Sequence, residues 1–365
     1  MNILALTFKD CVDDVRLKFD KSRYYAAAIY REVFKNGDTH FSAAPEFVKA
    51  QALAEQLGRE VRLPACRIVA RQEADGVVKF GTALVDGHCV ESVVIPAPGR
   101  TTLCVSSQVG CRMGCAFCAT GAMGFVRDLC AEEMVWQVYA ARFILKHRID
   151  NIVFMGMGEP LDNVDQVIQA VRVISDQHGL DVACSHITVS TAGHVEGLRK
   201  LGAANLPTLR LAVSLNAADD ALRSRLMPIN RRYPLARLKE ALRAFLLDKK
   251  GVLFMEYVLL AGVNDSQEHA GQVARYLQDL PVRVNIIAYN PGGSDDLAAP
   301  DPRQVRRFRD WLVAEGLFAR IRPSRGQGVQ AACGQLAGGR SVEAAPCGPG
   351  DSFAAKSRRM PQNAD

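Results

Sequence analysis

Cys111-Arg112-Met113-Gly114-Cys115-Ala116-Phe117-Cys118 places three thiols within eight residues, separated by three residues and then by two. The stretch follows an apolar segment that is typical of a β-strand. Structural zinc sites usually close with four ligands in paired Cys-x2-Cys units, and no second pair follows nearby. Three thiolates suit an iron–sulfur cluster better, because they can hold three irons and leave the fourth open to a small molecule. We therefore interpret Cys111, Cys115 and Cys118 as ligands of a [4Fe–4S] cluster.

Composition and charge limit the class of protein. The chain has 365 residues, of which 48% are hydrophobic, enough for one large domain with additions or two smaller ones. The net charge of +6 permits an RNA partner without establishing one. No apolar run is long enough to span a membrane, and Met1–Asp10 lacks the features of a secretory signal. Eleven cysteines, clustered rather than scattered, fit a reducing compartment, so we expect a cytoplasmic protein.

The first hundred residues predict two small units ahead of the cysteine cluster. Residues 1–62 carry apolar residues at helical spacing and a basic stretch over 16–25, typical of a helical domain that either binds RNA or exposes a solvated face. Residues 63–97 are predicted to form a β extension, because residues 66–95 alternate like strands and Asp75-Gly76 and Asp86-Gly87 suit tight hairpin turns. We predict a three-stranded antiparallel meander. Glu91 lies in its last strand, where a carboxylate ordinarily faces water.

Strand and helix patterns alternate from residue 100 onward. Segments with helical spacing separate six β-prone segments, at 101–106, 151–155, 186–190, 209–215, 252–260 and 282–288. Crossover connections of this length predict an α/β fold with a parallel sheet, flat or closed toward a barrel. Ligands of such sheets bind beyond the carboxyl ends of the strands. The polar, turn-rich tail over 338–365 is expected to be disordered.

Several motifs carry a resemblance to a known family. The cysteine spacing, with Phe117 before the last cysteine and Gly156-Met157-Gly158-Glu159-Pro160 downstream, resembles the radical S-adenosylmethionine (SAM) superfamily. The segments 103–111 and 332–336 narrow the resemblance to the RlmN-like RNA adenine methyltransferases, over about residues 20–340. This resemblance implies a partial (β/α)6 barrel as the catalytic core over 98–337. It also implies that residues 1–62 are an RNA-binding accessory domain.

The resemblance also implies roles for individual residues. The family binds SAM through residues that correspond here to Gly158, Glu159, Ser190, Ser214, Leu215, Asn216 and Asn290. Cys333 corresponds to a cysteine that takes a methyl group from one SAM, becoming S-methylcysteine, before a second SAM yields a 5′-deoxyadenosyl radical. Cys104 corresponds to a resolving cysteine that forms a transient disulfide with Cys333, and Glu91 to a proton acceptor. In this sequence Asn216 stands where the family often has histidine.

The expected function is methylation of an adenine ring carbon in structured RNA, either 23S rRNA, tRNA or both. Carbon 2 is the expected position, and carbon 8 is the alternative. The resemblance further implies an electron donor such as flavodoxin or ferredoxin, and a monomeric enzyme. Two other classes stay open: a radical SAM enzyme acting on a small molecule or peptide, and an iron–sulfur sensor without turnover. A small-molecule or peptide enzyme does not need the pair Cys104 and Cys333. A sensor would form the cluster without cleaving SAM under a reductant.

Overall fold

The computed structural model describes residues 1–247, 251–292 and 296–337, so the predicted disordered tail over 338–365 lies outside the described residues. The N-terminal part is helical, as expected, with three α-helices: α1 Phe8–Phe19, α2 Arg23–Arg31 and α3 Gln51–Glu60. Helix α1 starts at Thr7, whose hydroxyl accepts the Asp10 N–H (3.3 Å) while the Asp10 carboxylate accepts the Thr7 N–H (3.2 Å). This reciprocal cap fixes the point at which the helix begins.

The strands form one mixed sheet and one short hairpin. The strands, in chain order, are β1 Arg67–Ala74, β2 Val77–Ala83, β3 Cys89–Ala97, β4 Arg100–Val105, β5 Gln108–Gly110, β6 Phe125–Asp128, β7 Asn151–Phe154, β8 Ile187–Thr191, β9 Arg210–Ser214, β10 Leu253–Leu259, β11 Val282–Ala288 and β12 Ala319–Ile321. The main sheet has the order β1-β2-β3-β4-β7-β8-β9-β10-β11-β12. Pairing is antiparallel from β1 to β4 and parallel from β4 to β12. The predicted meander and parallel sheet are therefore confirmed.

Helices connect the parallel strands. They are α4 Ala119–Ala122, α5 Ala131–Tyr139, α6 Val164–Ser175, α7 Val195–Ala203, α8 Asp220–Leu226, α9 Leu235–Leu247, α10 Gln267–Leu277 and α11 Pro302–Ala314. The apolar faces of most of these helices and of the N-terminal helices join one buried cluster, whereas Leu222 and Leu226 of α8 belong to a second cluster with Cys111 and Met113. Helix α1 docks on the barrel where the Phe8 N–H donates to the Asp176 carboxylate (2.7 Å) and the Phe8 ring stacks on His178. None of the helices in the described ranges is long and apolar enough to cross a bilayer.

The sheet curves into a partial barrel. Thr102 in β4 and Arg322, just after β12, line the same cavities although their strands are far apart in the sheet order. The segment 322–337, here called the C-terminal segment, then crosses to the meander. Arg325 donates to the Pro96 carbonyl, and the Ala337 N–H donates to the Glu91 carboxylate (2.9 Å). The C-terminal segment thereby covers the side of the barrel that the sheet leaves open.

Candidate active site

A cavity of about 380 Å³ lies at the carboxyl ends of the parallel strands. Its walls include Cys104 at the end of β4, Cys118 from the cysteine cluster, Asn290 after β11 and Cys333 from the C-terminal segment. These residues are far apart in sequence, and the barrel topology brings them to one edge. These four side chains lie at the edge of the sheet where ligands of parallel strands ordinarily bind, and their roles stay predictions.

The loop that carries Cys111, Cys115 and Cys118 is held by backbone contacts. Strands β5 and β6 pair on either side of it, and the Cys111 N–H donates to the Gly124 carbonyl (2.8 Å). Gly110 has φ +73°, and a β-carbon there would lie 1.9 Å from the Gly124 oxygen, so no other residue fits. The hairpin therefore fixes both ends of the loop.

The three thiols fit a cluster better than a single ion. Burial raises the pKa of the Cys115 thiol, and the charges of Cys118 and Cys111 raise it further. Yet in the described ranges no three His, Cys, Asp or Glu side chains come close enough to hold one metal ion. An iron–sulfur cluster takes each thiolate on a different iron, so its three ligands need not converge on one metal position.

The loop after β7 approaches the loop after β4 closely. Gly158 has φ +100°, and a β-carbon there would lie 2.6 Å from the Gln108 side chain. The Gln108 amide oxygen accepts the Glu159 N–H (2.8 Å), and its NH₂ group donates to Asp128 (2.8 Å) and Asp162 (3.0 Å). Gln108 is buried and positions the predicted SAM loop. Gln108 belongs to the segment 103–111 that carries the family resemblance, but residue type alone does not predict this supporting role.

The Glu159 carboxylate joins two loops of the rim. It accepts the backbone N–H of Leu161 (3.0 Å) and of Ala192 (2.7 Å), so it ties the loop after β7 to the loop after β8. Burial raises the pKa of Glu159 to about 7. The carboxylate is thus engaged with the protein backbone, and the contact with SAM predicted for this residue stays a prediction.

The remaining predicted SAM contacts lie at the ends of β8 and β9 or after β9 and β11. Ser190 is the penultimate residue of β8, Ser214 is the last residue of β9, and Leu215 and Asn216 follow β9. Asn216 has φ +57°, a left-handed conformation that asparagine tolerates well. Its side-chain oxygen accepts the Val258 N–H (2.7 Å), which joins the loop to β10.

A buried arginine supports this part of the rim. The guanidinium of Arg223 donates to the carbonyls of Leu215 (3.0 Å), Ser214 (3.1 Å) and Ala192 (2.7 Å), and to the side chain of Asn230 (2.8 Å). These hydrogen bonds replace the water that the buried guanidinium of Arg223 would otherwise bind. Residue type alone does not predict this role for Arg223, because three of its four partners are backbone carbonyls.

Cys104 and Cys333 are free thiols that face the same cavity. Cys104 is buried in β4, and Cys333 is exposed on the C-terminal segment. Asn290 holds that segment through bonds to the Cys333 carbonyl (3.4 Å) and the Gln327 amide (2.8 Å). Burial raises the pKa of Cys104 to about 12. The surrounding protein also raises the pKa of the Cys333 thiol, although that residue is exposed to the cavity, and the Arg322 charge opposes both shifts. Each thiol must therefore lose a proton before it can act as a nucleophile.

Glu91 does not face water. It is buried in β3 and pairs with the buried Lys79 (3.2 Å), and its second oxygen accepts the Ala337 N–H. The ordinary expectation for a carboxylate in a half-buried strand is wrong here because the C-terminal segment covers this face of the meander. Glu91 thus contacts the segment that carries Cys333.

Replacing Lys79 with methionine is expected to destabilise the fold, because the Glu91 carboxylate would remain buried without its partner. The expected loss of unfolding free energy is about 3–5 kcal/mol. Lys18→Met is the matched control, since it breaks the exposed Lys18–Asp14 pair (2.6 Å), at a cost of about 0–1 kcal/mol. Chemical denaturation followed by circular dichroism measures both. Equal effects of the two variants would contradict a buried, structurally required pair.

Gly158→Ala is expected to weaken SAM binding by about tenfold or more, because the new methyl group displaces Gln108 and a positive φ costs alanine about 1–2 kcal/mol. Gly87→Ala is the control. Gly87 also has a positive φ (+84°), but nothing lies within 4 Å of its β-carbon position. Calorimetric titration with SAM should therefore separate the two. If both variants bind SAM like the unmodified chain, the loop after β7 does not contact SAM.

Comparisons with known proteins establish the class. The sequence profile of the Radical SAM superfamily matches residues 105–273, from the end of β4 into α10. The crystal structure of a radical SAM methyltransferase from Sphaerobacter thermophilus superposes with a TM-score of 0.86 at 38% identity, covering 92% of this chain and 99% of that one. The fold and the profile define a radical SAM enzyme, which uses SAM and an iron–sulfur cluster.

Curated relatives establish the family. A probable dual-specificity RNA methyltransferase RlmN 1 from Protochlamydia amoebophila is 38% identical over 336 residues, 92% of this chain and 94% of the relative. The dual-specificity RNA methyltransferase RlmN of Halorhodospira halophila is 46% identical over 292 residues, 79% of this chain and 81% of the relative. The chain belongs to the RlmN family.

Proposed function

We propose that this enzyme methylates an adenine ring carbon, carbon 2, in structured RNA through an S-methyl group on Cys333. The supporting observation is that two free thiols, Cys104 and Cys333, line one cavity with Cys118. Relatives at 38–46% identity are named as dual-specificity RNA methyltransferases, which favours RNA, both rRNA and tRNA, as the substrate. Methylation at carbon 8 is the alternative within the same chemistry.

In this proposal the cofactors occupy the carboxyl-end rim. Cys111, Cys115 and Cys118 hold one [4Fe–4S] cluster. The residues proposed to contact SAM follow four of the parallel strands: Gly158, Glu159, Ser190, Ser214, Leu215, Asn216 and Asn290. When bound, the cluster and SAM supply a radical that removes hydrogen from a methyl group. Flavodoxin or ferredoxin is the proposed electron donor, and the enzyme is proposed to act as a monomer in the cytoplasm.

Cys333 carries the methyl group. Its thiolate attacks the methyl carbon of a first SAM, so a sulfur–carbon bond forms at Cys333 while the corresponding bond in SAM breaks and S-adenosylhomocysteine leaves. A second SAM is then consumed to activate that methyl group. Cys333 suits this role because it is exposed to the cavity on a segment that is anchored at both ends, by Arg325 and Ala337.

Cys104 and Glu91 release the product. After the methyl carbon has joined the adenine, Glu91 accepts the proton that the ring carbon loses, and the iron–sulfur cluster, when bound, would take up the one electron that leaves the ring. The Cys104 thiolate attacks the Cys333 sulfur, forming a disulfide while the bond between that sulfur and the carbon breaks, and the released carbon takes up a proton to complete the methyl group. The electron donor returns the disulfide to two thiols. Because burial raises the pKa of Cys104 to about 12, this step requires prior loss of its proton.

Residues 1–62 are proposed to bind RNA as an accessory domain, with residues 63–97 joining them to the core over 98–337. Arg16, Lys18 and Arg23 are exposed on α1 and at the start of α2, beside the exposed ring of Tyr24. Cationic side chains bind phosphates, and exposed aromatic rings stack on unpaired bases. The basic, partly aromatic surface therefore suits a structured RNA.

Mass spectrometry of nucleosides tests this function. Ribosomal RNA and tRNA from a deletion strain are compared with RNA from the strain carrying the unmodified gene. We expect 2-methyladenosine to disappear on deletion and to return on complementation. Loss of 8-methyladenosine instead would favour the alternative position. Unchanged RNA nucleosides would contradict the proposal and favour a small-molecule or peptide substrate.

A further inference from the structure

A second cavity, of about 560 Å³, lies at the opposite, amino end of the barrel strands. Its lining residues come from the beginnings of β4, β7, β8, β9, β10 and β11 and from β12. Five arginines line it: Arg100, Arg210, Arg283, Arg320 and Arg322. Glu256 is the one acidic residue among the described lining residues. Arg100, Arg320 and Arg322 also line the carboxyl-end cavity, whereas Arg210 and Arg283 do not.

The arginines crowd one another. Burial lowers the pKa of Arg320, and the positive charges of Arg322, Arg283 and Arg100 lower it further, with Glu256 opposing the like charges. Burial also raises the pKa of Glu256, which favours its neutral form and weakens that opposition. Like charges held together cost free energy unless a counter-charge is bound. The cluster therefore has an excess of positive charge within a concave site.

Only some of these arginines form ion pairs or hydrogen bonds with other side chains of the protein. Arg322 lies 3.5 Å from the Glu256 carboxylate, and the Arg320 guanidinium donates to the Asn285 side chain (2.6 Å). Asn285 in turn donates to Glu256 (2.7 Å), so these side chains are fixed in place. Arg100 and Arg210 form no ion pair with any residue in the ranges 1–247, 251–292 and 296–337. The exposed guanidinium groups of Arg100 and Arg210 thus line the same cavity as Arg320 and Arg322, which these contacts hold in place.

We propose that the amino-end cavity is a phosphate-binding site and that its occupant is the phosphate backbone of RNA. Guanidinium groups bind phosphate oxygens in pairs, and a phosphate offers more acceptors and charge than a carboxylate. His186 lines both this cavity and a neighbouring one of about 640 Å³, which also exposes Lys146 and Arg148. Asp150 and Asp181 line the neighbouring cavity too, and Asp150 pairs with Arg148 (2.8 Å), so Lys146 is the cation that extends the basic surface toward the helical N-terminal part. The RNA occupant rests on the proposed function, whereas the phosphate site does not.

Calorimetric titration of the cluster-reconstituted chain with inorganic pyrophosphate tests the site. The variant is Arg100→Gln/Arg210→Gln, because these two residues have no ion pair to lose. Arg199→Gln/Arg306→Gln is the control, since it removes the same charge from exposed positions on α7 and α11. We expect the cavity variant to bind pyrophosphate about tenfold or more weakly, as loss of charged hydrogen bonds predicts, and the control to bind normally. Equal binding by all three proteins overturns the proposal.

The salt dependence of RNA affinity tests the occupant. If RNA phosphates fill the site, the cavity variant should lower the slope of log affinity against log salt by about 1.5, as expected for two lost contacts. An unchanged slope, together with weakened pyrophosphate binding, would establish the phosphate site and reject RNA in favour of a free phosphate compound. Because pyrophosphate binding needs no methylation, failure of this site leaves the nucleoside measurement unaffected.

Discussion

Cys333→Ala is expected to abolish methylation of RNA while the iron–sulfur cluster and SAM binding persist. Alanine has no sulfur to carry the methyl group, and removing a residue that bonds to the reacting carbon costs about 10³-fold or more in rate. Cys333 lies on the C-terminal segment, and no described hydrogen bond involves its thiol. The fold should therefore survive. Transfer of labelled methyl from SAM to RNA is the measurement.

Two further variants show whether a loss of methylation in Cys333→Ala comes from the missing methyl carrier. Cys184→Ala is the control, because Cys184 is a half-buried cysteine before β8 that does not line the carboxyl-end cavity. It should methylate RNA normally. Cys104→Ala should methylate Cys333 yet retain the RNA as a covalent adduct, since the thiol that releases it is gone. Normal turnover by Cys333→Ala would reject the carrier role.

Cys115→Ser is expected to lose the iron–sulfur cluster and, with it, reductive cleavage of SAM. Cys115 is the middle thiol of the loop, and the neighbouring charges of Cys118 and Cys111 act on it. A hydroxyl is a poor substitute because iron–sulfur clusters are held by thiolates. Iron content, the visible absorption of the cluster and formation of 5′-deoxyadenosine under a chemical reductant measure the loss.

Cys130→Ser is the control for this variant. Cys130 is exposed and begins helix α5, where its side chain accepts a backbone N–H and Glu133 reaches back to its own N–H (2.9 Å). Serine is a favourable residue at such a helix start, so the fold should be kept or improved. If Cys130→Ser loses iron as Cys115→Ser does, or if Cys115→Ser retains a full cluster, the ligand assignment is wrong.

The main elements of the fold could be predicted because they depend on local sequence. Asp75-Gly76 and Asp86-Gly87 specify hairpin turns, and the alternation of strand and helix patterns specifies the parallel sheet. The hairpin of β5 and β6 was missed. Its strands are only three and four residues long, and their pairing depends on the close approach of Gly110 to Gly124. The three-residue β12 was missed for the same reason, since so short a strand carries no periodic pattern.

The site was predictable only where residue type reveals the chemistry. Three spaced cysteines indicate a cluster, and family motifs named Cys104 and Cys333. The supports of the site carry no such signal. Gln108 and Arg223 bond to backbone atoms of distant loops, and the burial of Glu91 depends on a segment more than 200 residues downstream. The arginines at the amino end come from several strands, and they line one cavity only because these strands curve into a partial barrel.

Mass spectrometry of the peptide 326–340, which contains Cys333 as its only cysteine, tests the central claim most directly. The cluster-reconstituted enzyme is incubated with SAM, reductant and a limiting amount of RNA, then digested with trypsin. We predict that this peptide carries one added methyl group in the enzyme that is between turnovers. Turnover of RNA with no methyl group ever detectable on this peptide would contradict the account.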